Sequence, residues 1–136
     1  MTAQPHDAVR RPPVHIGEKD FDALYALALA ITPKQPEVSG FLMGELERAE
    51  IHAEGEIPSG VVTMGSMIAY LDTRNGETRT IELVYPHRAN IAANKVSITT
   101  PVGASLIGLS AGDTIMCAYY NGSQRPLKIL KVTAPR

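Results

Sequence analysis

The four histidines, at positions 6, 15, 52 and 87, are the side chains best suited to hold a metal or move a proton near neutral pH. They lie far apart in the chain, and none joins a HExxH pair or a carboxylate cluster with metal-ligand spacing, so no metal site is expected. Ser105 and Ser110 are nucleophiles by type, yet no base neighbours either one, and no GxSxG elbow or paired-carboxylate acid/base site is present. There is no GxxxxGK phosphate loop, and the glycines at 103, 108 and 112 bracket a short segment without a dinucleotide fingerprint. These glycines read as turns and caps. Cys117 is the only cysteine, which excludes an intrachain disulfide, and its apolar neighbours make it an inert core thiol. Arg125, Lys128 and Lys131 could form a weak patch for phosphate or an acidic protein surface; the simpler reading is a solvated strand edge guarded by lysine. No catalytic residue and no cofactor are therefore expected.

The elements that must position these residues follow from hydrophobic spacing. Residues 1 to 16, with Pro5, Pro12 and Pro13 among scattered polar residues, show neither period and read as a mobile tail. From Gly17 onward, Phe21, Leu24, Tyr25, Ala28 and Ile31 fall on one face of a helix of about fifteen residues. Pro33 and Pro36 break it, because each removes a backbone donor and disfavours helix in the residue before it. Val38, Phe41, Leu42, Leu46 and Ala49 then renew the helical period to about His52, and so short a link makes the two helices antiparallel. Gly40 and Gly44 within the second helix are read as points of close approach in preference to flexibility.

A hinge at residues 57–60, marked by Pro58, leads to a region of strands, so the domains are a tail (1–16), a helical hairpin (17–56) and a sheet domain (57–136). Residues 64–71 and 79–85 read as strands around an Asn75-Gly76 turn, and 114–120 and 126–132 as a second pair around Asn121-Gly122. Residues 96–99 form a short β-branched run, followed by Thr100 as N-cap and Pro101 as first residue of a short helix that Gly108 stops. The fold class is α+β: a short antiparallel helical hairpin on a small antiparallel sheet packed by one short helix.

The run from Val96 through Thr99-Thr100-Pro101-Val102-Gly103-Ala104-Ser105 to Leu109, followed by Ala111-Gly112-Asp113, resembles the C-terminal domain of the Gre transcript-cleavage and elongation factors. Closer is the Rnk (regulator of nucleoside diphosphate kinase) family, through Ile57-Pro58, Val61-Val62-Thr63-Met64, Leu83-Val84-Tyr85-Pro86-His87 and the Pro101-Val102-Gly103-Ala104 form. Glu45-Leu46-Glu47-Arg48-Ala49 fits as well, so the resemblance spans residues 15 to 133. It implies an FKBP-like C-terminal domain beneath a short coiled coil, and docking on RNA polymerase near the mouth of its secondary channel. It further implies contact through the start of the short helix, which here is Thr99, Thr100 and Pro101, and an indirect effect on nucleoside diphosphate kinase.

Gre factors deliver paired acids at the coiled-coil tip to help hold a catalytic Mg²⁺, an ion that demands oxygen ligands. Here the tip reads Thr32-Pro33-Lys34-Gln35-Pro36-Glu37, in which Lys34 opposes the single acid Glu37 and Gln35 is neutral. Helices of fifteen residues also reach only roughly 22 Å. The resemblance therefore implies a regulator that competes with other channel-binding factors without cleaving transcripts.

Across 136 residues, 13 Lys+Arg against 14 Asp+Glu give a formal charge of −1, so no broad basic field exists, and the DNA contact implied for the wider Gre class is at most weak. No apolar run reaches the roughly 20 residues of a membrane span, and the polar start lacks a secretory h-region, so a cytoplasmic protein is expected. The FKBP-like fold raises a prolyl isomerase as a rival, but such a pocket needs aromatic walls. The chain has no Trp, two Phe and five Tyr, and both Phe fall in the hairpin. A homo-oligomeric module is the other alternative, since a two-helix hairpin leaves one side uncovered; the chain is expected as a monomer or weak homodimer.

Overall fold

A computed structural model describes residues 12–118 and 123–135. The proposed tail up to residue 11, and the Asn121-Gly122 turn, lie outside the described residues. The chain opens with a short strand β1 (His15–Gly17), then helices α1 (Glu18–Ile31) and α2 (Pro36–Glu47), then strand β2 (Glu50–His52). The remaining strands are β3 (Met67–Asp72), β4 (Glu77–Val84), β5 (Lys95–Ser97), β6 (Thr114–Ala118) and β7 (Gln124–Thr133), with helix α3 (Pro101–Leu106) between β5 and β6.

Helix α1 carries Glu18 and Asp20 in its first turn, where carboxylates meet the positive end of the helix dipole, and buries Leu24 and Ala28 one turn apart. Helix α2 starts on Pro36 and buries Val38, Leu42 and Leu46 at four-residue steps. The two are stapled near their junction: the Ser39 and Thr32 hydroxyls both donate to the Ala28 carbonyl, at 2.7 and 2.9 Å. Gly40 and Gly44 do not mark a close approach, because a Cβ built on either meets nothing within 4 Å.

Two expectations about the ends of the hairpin are corrected. The second helix stops at Glu47 instead of running to His52, and residues 50–52 turn into β2, which pairs in parallel with β1. Residues 14–16 are consequently no tail: Val14 and Ile16 are buried, and the His15 amide donates to Gly108 O at 2.8 Å. Burying those two apolar side chains supplies the free energy that orders the segment.

The second sheet has the order β5-β4-β3-β7-β6. Its pairs are antiparallel except β4–β5, which is parallel because β5 returns alongside β4 after two single-turn 3-10 segments. The first hairpin turns at Asn75-Gly76 as expected: Gly76 sits at φ 76°, and the Asn75 side chain accepts from the Glu77 amide at 2.9 Å. Strand β7 lies between β3 and β6 as far as Lys128, which stands exposed on an interior stretch, whereas Lys131 lies beyond the β6 pairing, where β7 borders only β3, and fits the edge reading. One hydrophobic core joins Leu24, Ala28, Leu42 and Leu46 of the helices to Ile68, Ile81, Leu106, Leu127 and Ile129. The fold is α+β, with the helical hairpin rooted in the core of the sheet.

Candidate functional site

The loop from β5 into α3 holds Thr99, Thr100 and Pro101, and hydrogen bonds fix nearly every polar atom in it. The Ser97 and Thr99 hydroxyls share a 2.7 Å hydrogen bond, and the Thr99 amide donates to Ser97 Oγ at 3.0 Å. Thr100 Oγ1 donates to Ser97 O at 2.8 Å and accepts from the Gly103 amide at 3.1 Å, which makes it the N-cap of α3. Ser105 Oγ donates to Pro101 O at 2.7 Å, so its hydroxyl is engaged by the backbone of its own helix. Thr99 is only 9% exposed, whereas Thr100, Pro101 and Val102 are half-buried. The three sequence-selected residues are thus brought together, with Thr99 shaping the loop and the other two presented at its surface.

Sequence reasoning missed the neighbouring segment that precedes β5. Asn90 and Lys95 exchange backbone hydrogen bonds of 2.9 Å, Asn94 adopts a left-handed conformation, and Ile91 between them is 86% exposed. A lone Ile among Ala and Asn carries no periodic signal, so its exposure was legible only from the closed loop.

At the hairpin tip, Lys34 and Glu37 are exposed and Gln35 is half-buried as the residue preceding α2. The Gln35 carbonyl accepts from the Ser39 amide at 2.9 Å. Glu37 lies in the first turn of α2, where the helix dipole favours it. The tip therefore offers one carboxylate beside one ammonium.

The root of the hairpin is tied to the sheet by Tyr85, whose hydroxyl donates to Asp20 Oδ1 at 3.0 Å. Burial raises the Asp20 carboxyl above its usual range, and the hydrogen bonds from Tyr85 and the Met64 amide hold back part of that rise. Burial and the Asp20 charge raise the Tyr85 phenol in turn. A carboxyl whose folded pKa is raised gives stability that is full below its unfolded pKa and declines as pH rises through the folded one. Tyr85→Phe removes a hydrogen bond to that carboxylate and should cost about 1.5 kcal/mol at neutral pH. Because burial raises the Asp20 carboxyl above 3.8, the difference between variant and parent in urea unfolding should shrink as pH falls through that raised value and be smallest in acid, where the carboxyl is protonated in both states. A cost independent of pH would disprove the coupling.

The other sequence candidates resolve simply. Arg125 donates to Asp72 Oδ2 at 2.7 Å and holds that carboxyl below its usual range, so it is engaged within the sheet and does not join a free basic patch. Cys117 is fully buried, and burial raises its thiol, which suits an inert core residue. The expectation that no histidine joins a carboxylate in a cluster with metal-ligand geometry fails for two of the four. His15, Glu50 and His52 converge where β1 meets β2, with His15 Nδ1 at 3.0 Å from His52 Nε2 and 3.3 Å from Glu50 Oε2. A parallel pairing of two three-residue strands gives no sequence signal that would have predicted this.

A helix pair rooted in a curled sheet, with a capped short helix at the sheet's end, defines a transcription-factor-like regulator in the comparisons with known proteins. Residues 57–134 match the family described as transcription elongation factor, GreA/GreB, C-term. The "Regulator of nucleoside diphosphate kinase" of Escherichia coli K12 is 32% identical over 127 residues, 90% of each chain. A solved structure, "Prokaryotic transcription elongation factor GreA/GreB from Nitrosomonas europaea", superposes with a TM-score of 0.73 at 33% identity, covering 91% of this chain and all of that one. The GreA elongation factor of Thermosipho melanesiensis is 33% identical over 70 residues, 52% of this chain but 44% of that protein. The chain belongs to the GreA/GreB family, in its Rnk, or regulator of nucleoside diphosphate kinase, branch. These relatives are named as regulators and transcription factors, and none as an enzyme. No helix among the described residues is long and apolar enough to cross a membrane.

Proposed function

We propose that this chain is a non-enzymatic transcription regulator that docks on RNA polymerase near its secondary channel and competes with other channel-binding factors, without promoting transcript cleavage. An indirect effect on nucleoside diphosphate kinase belongs to the same reading. The observation that carries it is the pairing of a Gre-type sheet domain with a tip that offers Glu37 beside Lys34 in place of two carboxylates. A hard divalent ion is held by several oxygens, and an adjacent ammonium opposes it. Helices of 14 and 12 residues rise roughly 21 and 18 Å, too short a reach for delivering chemistry deep into a channel. In this reading Thr100 and Pro101 form the contact and Thr99 sets their loop.

The geometry also decides how to test it. Thr100→Glu would destroy a helix cap along with any contact, so it cannot separate the two. Pro101→Glu places a carboxylate at the first helical position, where the dipole favours it, and leaves the carbonyl that Ser105 uses. Co-elution of the parent with purified bacterial RNA polymerase is expected, with loss on Pro101→Glu at unchanged circular dichroism and displacement by a known channel-binding factor. Stalled complexes should show no transcript shortening. Absence of co-elution at micromolar concentrations would reject docking and favour the homo-oligomeric module, for which the exposed Tyr25 and Leu29 on α1 are the surface.

A further inference from the structure

We propose that His15, Glu50 and His52 form a binding site for a divalent late transition-metal ion, with zinc as the natural probe, which clamps the N-terminal strand to the end of the helical hairpin. The site is independent of the polymerase reading.

The site follows from strand register. In the parallel pair β1–β2, His15 lies opposite Glu50 and Gly17 opposite His52. Residues two apart in a strand share a face, so Glu50 and His52 project together, and the pairing brings His15 beside them. The two imidazoles are tilted 44° with centroids 5.2 Å apart, so they do not stack face against face.

The separations suit a common ion. Zn–N and Zn–O bonds of about 2.0–2.2 Å in a tetrahedron place ligand atoms about 3.3 Å apart. Here His15 Nδ1 lies 3.0 Å from His52 Nε2 and 3.3 Å from Glu50 Oε2, and His52 Nε2 lies 4.0 Å from the same oxygen. The one long distance involves Glu50, whose side chain is 64% exposed and free to rotate inward, while the imidazoles, 19% and 17% exposed, are held by their surroundings. Two imidazoles and one carboxylate suit zinc and its late first-row neighbours, whereas Mg²⁺ and Ca²⁺ require oxygen ligands. Three protein ligands leave a fourth position on the exposed side of Glu50, open to water or to a donor from a partner.

Binding to the folded chain alone raises its stability by mass action. Titration calorimetry of the tag-free chain should show one Zn²⁺ bound per chain in the micromolar range. Saturating Zn²⁺ should raise the melting temperature by at least about 5 °C, and Mg²⁺ should not. Co²⁺ should give the intense visible bands of a tetrahedral ion. His15→Gln and His52→Gln should abolish all three signals, Glu50→Gln should weaken them, and His87→Ala and His6→Ala should leave them unchanged. Because Glu50 is largely exposed, Glu50→Ala keeps the fold and tests the site even if a histidine variant does not fold. No Zn²⁺ binding in the micromolar range, or binding that survives both Glu50→Ala and His52→Gln, would overturn the proposal.

Discussion

Gly103→Ala should lower the stability of the chain by more than about 3 kcal/mol, the upper range for overpacking a core. A Cβ built on Gly103 collides with the Ser97 carbonyl oxygen and stands 3.0 Å from the Ser97 carbonyl carbon and from Ile98 Cα. All three are backbone atoms, so no side chain can swing aside. Gly103 does not adopt a positive φ, which makes the demand one of space and not of conformation. Relief would require α3 to shift away from β5, breaking the Thr100 cap and disturbing the fully buried Leu106 and Leu109. The matched control is Gly40→Ala, where nothing lies within 4 Å and the change should stabilise the exposed helix by about 0.5–1 kcal/mol. Urea unfolding of the two variants should therefore move in opposite directions. If Gly103→Ala lies within about 0.5 kcal/mol of the parent, the scale of an ordinary surface change, the tight packing of α3 on β5 is wrong. The consequence for function is direct, because this packing carries the Thr100-Pro101 surface proposed to dock.

What the sequence disclosed and what it hid divide along the range of the interactions involved. Leu24 and Ala28, Thr100 before Pro101, and Asn75 before Gly76 are placed by neighbours within a few residues, and their spacing or turn chemistry shows in the chain. Val14 and Ile16 are ordered by a parallel pairing with residues 35 positions away, and three-residue strands are too short to display a period. The same pairing assembles the histidine site from two segments that each hold one imidazole. Lys128 was misread as an edge residue because strand order, unlike strand existence, is a property of the whole sheet. Gly40 and Gly44 show the converse limit: glycine in a helix signals permission for close contact, and only the three-dimensional neighbours decide whether contact occurs. At the proposed docking loop the residue types were legible, but the division between Thr99 as support and Pro101 as surface depends on burial that no local pattern encodes.

Arg48→Leu is expected to cost about 1.5–3 kcal/mol, the range for hydrogen bonds to a charged group. Glu45 lies in the last turn of α2 with its side chain wholly buried, and Arg48 answers it three residues on with a two-pronged contact of 3.0 and 3.1 Å. That fork geometry matches guanidinium to carboxylate and adds direction to the attraction. Arg48 itself is 30% exposed, so its own hydration is partly retained, and the cost falls mainly on the buried Glu45 carboxylate, which loses this fork. The helix dipole adds to that cost, since the last turn of α2 carries negative partial charge and disfavours a further anion. The double variant Glu45→Leu with Arg48→Leu removes the buried carboxylate as well and should recover part of the loss. Urea unfolding of the parent, the single and the double variant closes the comparison. A single variant as stable as the double would show that the buried carboxylate does not rely on Arg48. Recovery in the double would mean that the pair contributes less to net stability than to holding the end of α2 in register with β2, where the histidine site is built.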